Sequence, residues 1–284
     1  MTSLDRRTFL IASGALALAA CGSDSAATAD STPGEFDLAV RFPRELQVPG
    51  ELRLVYSIAS NQALLSDGPD TLTGRILNNA DNSTVVESIT ATKRRVTEAL
   101  CYWDFHPTIT DTGIYTLYVE GAVADGTAIG VYDPATLSVP SRGTVLPPVD
   151  TPTTDNPRGV DPICTRVEGG PCPFHSMTLT EALATGKPVA YMIGTPAHCQ
   201  FGTCGPGMEF LINASKRIGD GLVVVHAEVY TDDTATVAAP AMEAYSLAFE
   251  PMIFLADASG VITQRIEGVW DQSELDEELA KLMV

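Results

Sequence analysis

Two cysteines separated by four residues, Cys199 and Cys204, sit in the stretch "GTPAHCQFGTCGPG" from 194 to 207. A thiol attacks only as thiolate, and an unperturbed thiol ionises near ~8.5, so a reactive pair needs positive potential around it. The sequence offers two sources. A helix expected to open at Pro206 follows directly on the cysteines, and a helix N-terminus supplies about half a positive charge. His198, beside Cys199, offers a cation or a hydrogen-bond donor. Cysteines five positions apart across a loop can reach disulfide range. The chemistry is then attack by one thiolate on a partner disulfide, followed by resolution by the other thiol. A second pair, Cys164 and Cys172, encloses "TRVEGGP", a loop with no helical pattern. In an oxidising compartment it is expected as a structural disulfide. The rival is a second redox pair relaying electrons to Cys199 and Cys204. Cys101 stands apart and reads as a buried apolar thiol. No dissociable cofactor and no metal is implied.

The elements that hold the first pair form an alternating pattern. Thr178 to Glu181 is a capping box, and its helix stops at Gly186-Lys187-Pro188. "VAYMIG" and "LVVVHAEVY" read as buried strands on either side of the "MEFLINASKRI" helix. A less regular helix follows around Pro240. "MIFLAD" and "VITQRIEG" then form a hairpin, and Asp271 caps the last helix. The order is αβαβαββα, from 161 to 284. Upstream, residues 36 to 140 read as all-β, with short apolar and β-branched runs between turn residues. Residues 141 to 160 carry four prolines and read as a linker between the two bodies.

The order αβαβαββα, with cysteines after the first buried strand and Pro251 at the entrance of the hairpin, resembles the α/β thioredoxin-like fold. More narrowly, "TPAHCQFGTCGP", "VVVHAEVY" and "EPMIFLADASGVI" look like a group of predicted actinobacterial lipoproteins with C-x4-C. The resemblance implies that Pro251 is cis and faces the cysteines. Which cysteine attacks stays open. Aligned from the strand, Cys199 takes the place of the exposed cysteine; aligned on "CGP", Cys204 does. We favour Cys199, the first off the strand and next to His198. Departures matter too. His198 replaces the usual tryptophan, Ala190 stands where many thioredoxins bury an acid, and Glu250 precedes the proline. A carboxylate facing the pair would raise thiol pKa values. In the β-body, Asp111-Thr112-Gly113-Ile114-Tyr115 resembles the tyrosine corner of an immunoglobulin-like sandwich, with Trp103 and Phe105 expected in its core.

Three rivals to thiol–disulfide exchange stand beside it. A peroxiredoxin-like peroxidase also uses C-x4-C after Thr-Pro, but its transition-state arginine has only Arg217 and Arg265 as candidates, neither in a matching motif. A copper site would need a distant histidine; His226 lies mid-strand and reads as a core residue, and His175 as a surface or turn residue. A binding lipoprotein with an inert disulfide is the third.

The N-terminus sets the compartment. Residues 1 to 20 carry Arg6-Arg7 before a short apolar run, which resembles a twin-arginine export signal. Leu18-Ala19-Ala20-Cys21 resembles a lipobox, with Cys21 lipidated, and residues 21 to 35 form a tether. The chain has a net charge of −19; removing Asp5, Arg6 and Arg7, a net +1, leaves −19 − 1 = −20. Such an acidic body repels nucleic acid, so no nucleic-acid partner is expected. The membrane contact expected is the lipid, on the outer face of the cytoplasmic membrane, and the partners expected are protein thiols and disulfides outside the cytoplasm.

Overall fold

Among the described residues, ten strands precede the first α-helix. They are β1 (Asp37–Val40), β2 (Gly50–Glu51), β3 (Leu54–Ser60), β4 (Ala63–Leu64), β5 (Thr71–Asn78), β6 (Thr84–Thr97), β7 (Leu100–Phe105), β8 (Thr108–Ile109), β9 (Gly113–Val119) and β10 (Thr127–Val131). The computed structural model describes residues 36–123 and 125–284. The export signal with Arg6 and Arg7, the lipidation site Cys21 and the tether lie outside the described residues.

The main strands run in the order β1-β3-β7-β6-β5-β9-β10, with β4 on β3 and every pair antiparallel. The 14-residue β6 joins the two halves: Thr84 to Thr92 pairs with β5 and Lys93 to Thr97 with β7. One core takes Leu54 and Tyr56 from β3, Trp103 and Phe105 from β7, Ile76 from β5 and Leu117 from β9. The sheet therefore folds over on itself. This differs from two separate sheets, because β6 continues through its "TKRR" segment instead of ending there. The tyrosine corner is made: Tyr115 Oη donates to Asp111 O at 2.9 Å. Cys101 is fully buried, and burial raises its thiol above the ordinary value, as an inert thiol requires.

The second body follows the order read from the sequence: α1 (Leu179–Leu183), β11 (Val189–Ile193), α2 (Cys204–Ile218), β12 (Val223–Ala227), α3 (Pro240–Ala244), β13 (Met252–Ala256), β14 (Ile262–Glu267) and α4 (Gln272–Leu282). Its sheet has the order β12-β11-β13-β14, with β11 parallel to β12 and antiparallel to β13. Helices cover both faces. Val189, Tyr191 and Ile193 pack in one core with Leu179 of α1 and Met242 of α3. Ala190 and Met192 pack in the other with Met208 of α2 and Leu279 of α4. Burial on both faces is why "VAYMI" and "MIFLA" lack polar alternation. Caps set the helix limits: Thr178 and Glu181 close a reciprocal capping box on α1, and Asp271 accepts the Glu274 N–H on α4.

The proline-rich segment, expected as a linker, is packed. Leu146, Thr151 and Val160 are buried. Its backbone runs beside the β13–β14 hairpin, with Gly143 N–H on Ile262 O and Leu146 N–H on Gly260 O, both at 2.8 Å. Both bodies belong to one compact unit. A buried ion pair ties them: Arg53 of the β-body reaches Glu274 of α4, and its Nη1 donates to Glu267 O at 2.9 Å. Burial alone would lower the Arg53 pKa, but the Glu274 carboxylate outweighs it and holds the guanidinium protonated. Among the described residues no helix is long and apolar enough to cross a membrane.

Candidate functional site

The loop between β11 and α2 brings Cys199 and Cys204 together as a disulfide with a Cα–Cα distance of 5.9 Å. The two sulfurs differ in access: Cys204, the first residue of α2, is fully buried, while Cys199 is partly exposed. The Cys204 N–H, one of the free donors at the helix start, points to Cys199 Sγ at 3.2 Å. A thiolate on Cys199 therefore meets both the positive end of the helix dipole and a hydrogen bond, and each favours the charged form. Thr203, before the helix, gives its hydroxyl to Gly268 O at 2.6 Å instead of capping.

Opposite the pair, the Glu250–Pro251 peptide is cis, as the resemblance implies. Gly194 keeps this contact close: a Cβ there would stand 3.2 Å from Pro251 Cβ and 3.6 Å from Cys204 Sγ. Glu250 sends Oε2 to within 3.3 Å of Cys204 Sγ, and the Thr195 N–H donates to the same oxygen at 3.0 Å. Burial pushes the Glu250 carboxyl up to about 7, and Glu228 nearby adds to the rise, against the downward pull of the Thr195 N–H. The expectation that Glu250 opposes the helix dipole is thereby narrowed. Its contact is with the buried sulfur, and below about pH 7 its neutral form predominates.

His198 does not do what its position promises. Its ring stands edge-on to Tyr230, with centroids 6.1 Å apart, and its Nε2 lies 4.0 Å from Asp233 Oδ1. Among the described residues it makes no hydrogen bond to either sulfur. The β-body reaches the loop instead. The Arg41 guanidinium lies 4.9 Å from the centre of the Phe201 ring, and Phe201 packs on Phe249. Sequence reading missed this contact, because nothing in "AVRFP" marks Arg41 as a neighbour of residue 201. Beside the pair, a cleft of about 300 Å³ is lined by Pro196, Gly205, Pro206, Arg166, Val167 and Glu209. Both arginine candidates for a peroxidase are engaged elsewhere: Arg217 pairs with Asp276 on the surface, and Arg265 is buried against Glu267 and the carbonyls of Pro140 and Leu46.

The second cysteine pair departs from expectation. Cys164 and Cys172 are free thiols, not a disulfide. His175, expected at a turn or on the surface, is buried beside them, and His226 joins from the middle of β12. Cys172 Sγ is 3.3 Å from His175 Nε2 and 3.5 Å from His226 Nδ1, and the two nitrogens are 3.2 Å apart. Hydrogen bonds from Cys172 and then from the two histidines pull the Cys164 thiol well below the ordinary range, and Cys164 in turn pushes Cys172 up. These four side chains gather donors suited to a metal; among the described residues no other such grouping is fully buried. The two centres share a backbone segment, since His226 Nε2 meets Gly194 O at 2.9 Å, one residue before Thr195.

No protein-family model matches the chain, and no curated protein matches it. Among solved structures, the chain is similar to a thiol:disulfide interchange protein of the thioredoxin family from Chlorobium tepidum TLS. The match covers 51% of this chain and 100% of that one, at 15% identity and a TM-score of 0.35.

Proposed function

We propose that this protein is a thiol–disulfide exchange protein, anchored by a lipid on Cys21 at the outer face of the cytoplasmic membrane. The β-body, read as an immunoglobulin-like domain, is fixed beside a thioredoxin-like domain that carries the chemistry. The observation that carries the reading is the Cys199–Cys204 disulfide at the start of α2, with one sulfur exposed, one buried and cis-Pro251 beside them.

In the reductive direction, the Cys199 thiolate attacks one sulfur of a partner disulfide. That bond breaks, a Cys199–partner disulfide forms, and the partner's other sulfur leaves as thiolate. Cys204 then gives its proton to Glu250 and attacks Cys199 Sγ, releasing the partner's second thiol. The partner gains two electrons and the protein closes its own disulfide. Oxidation of a partner dithiol is the same sequence reversed. The exposed sulfur must be the one that meets the partner, so Cys199 is the nucleophile, and the adjoining cleft receives the peptide around the partner's cysteine. An inert disulfide would resist reduction, with a potential below about −300 mV. The test is equilibrium of the Cys199–Cys204 pair with a dithiol redox buffer. The reading expects a potential above that limit, and a lower one returns the pair to a structural role.

A further inference from the structure

The geometry points to a second site, and we propose that Cys164, Cys172, His175 and His226 bind one Zn²⁺ ion as a closed tetrahedral S2N2 centre, separate from the redox pair. The four donor atoms lie within 4.8 Å of one another, and all four side chains are buried. Bond lengths of about 2.3 Å for Zn–S and about 2.05 Å for Zn–N require edges of about 3.3 Å between nitrogens and about 3.6 Å between sulfur and nitrogen. The observed separations are 3.2 Å between the nitrogens, and 3.3 and 3.5 Å from Cys172 Sγ to each. Cys172 Sγ and the two nitrogens thus stand at the edge lengths of a tetrahedral ion, and Cys164 Sγ lies within 4.8 Å of each as the fourth donor.

The surroundings select the ligand atoms. The backbone carbonyl of Gly194 fixes a proton on His226 Nε2, which leaves the lone pair of Nδ1 facing the cluster. The Cys172 N–H points at Cys164 Sγ from 3.3 Å, the bond that steadies a coordinated thiolate. His226 N–H on Phe174 O, at 3.2 Å, lays the 172–175 segment along the edge of β12. Gly169 and Gly170 take φ of +74° and +79°, which turns the loop so that Cys164 and Cys172 meet. Both sulfurs bind as thiolates, and two thiolates neutralise the ion, so no net charge enters the apolar core around Phe174 and Met208. All four ligands come from the protein, which leaves no open position and makes the centre structural. Two thiolates with two imidazoles in a tetrahedron are the donor set of zinc, whereas octahedral oxygen sites suit magnesium or calcium.

The test is metal analysis of the purified full-length protein, prepared under reducing conditions. About one zinc per chain is expected, falling at least about tenfold in Cys172→Ser and in His226→Ala, and unchanged in the Cys199→Ser/Cys204→Ser double variant. Should the ligand variants fail to fold, Co²⁺ titration of the metal-stripped wild type decides. A thiolate-to-cobalt charge-transfer band with intense tetrahedral d–d bands is expected, again unchanged in the double variant. The proposal is overturned by a folded, reduced wild type that takes up neither ion, by zinc that is lost with Cys199 and Cys204, by Cu(I) bound in place of zinc, or by a Cys164–Cys172 disulfide in the alkylated protein as isolated. None of these results bears on the reduction potential of the Cys199–Cys204 pair, so the two readings stand or fall separately.

Discussion

Glu250 Oε2 lies between the Thr195 N–H, at 3.0 Å, and Cys204 Sγ, at 3.3 Å. In the proposed exchange, a carboxylate in that place takes the proton that Cys204 loses when it resolves a mixed disulfide. With Glu250 titrating at about 7, the resolving step should speed up as pH rises through that value. Glu250→Gln should remove this inflection and slow resolution by about 10²-fold or more at pH 8. Stopped-flow measurement of the two exchange steps checks it: a variant that keeps the inflection assigns the titration to another group.

The same group should mark the pH dependence of stability. Its folded pKa is raised, from 4.5 to about 7, so the folded state disfavours the charged form. The unfolded chain then ionises first. The contribution of Glu250 is fully present below about pH 4.5 and is lost as pH rises to about 7. Denaturant unfolding across that window should show the wild type losing stability relative to Glu250→Gln. Parallel curves would contradict the assignment.

Gly194 leaves room for both Pro251 and Cys204. Gly194→Ala places a methyl 3.2 Å from Pro251 Cβ and 3.3 Å from Met192 Cε. Overpacking of this kind costs about 1–3 kcal/mol, and here it should also slow exchange by displacing the buried sulfur. Chemical denaturation and exchange rates on the same sample would show both effects. Loss of stability with unchanged rates would mean that the sulfur tolerates the shift.

The β-body is held by a buried charge pair. Arg53→Ala leaves the buried carboxylate of Glu274 without its partner and should cost about 3–5 kcal/mol. If urea unfolding shows a change below about 1 kcal/mol, the pair is not what holds the two bodies together.

Much of this was legible in the residues. Buried strands covered on both faces are continuous apolar runs, and caps at Thr178 and Asp271 state where helices begin, so the order αβαβαββα is readable. Cis-Pro251 came from the resemblance and is found. The Cys2His2 cluster was not readable as such. Three of its members lie within 164 to 175, but the fourth is 51 positions further on, inside "VVVHA", where a histidine looks like core. Prolines from 147 to 157 suggested a free linker, yet hydrogen bonds to the β13–β14 hairpin and the burial of Leu146 are tertiary facts without a local signature. His198 adjoins Cys199 in sequence, yet its ring packs edge-on to Tyr230, because a neighbour on a loop need not face the same way as the sulfur beside it.

The central claim is that Cys199 is the attacking sulfur of an exchange reaction. The most direct measurement is trapping in the native cells with Cys204→Ser, in which the resolving thiol is missing. Mixed disulfides through Cys199 should accumulate, collapse on reduction, and be absent from Cys199→Ser. If the Cys204→Ser variant captures no partner, or if only Cys199→Ser does, the account is contradicted.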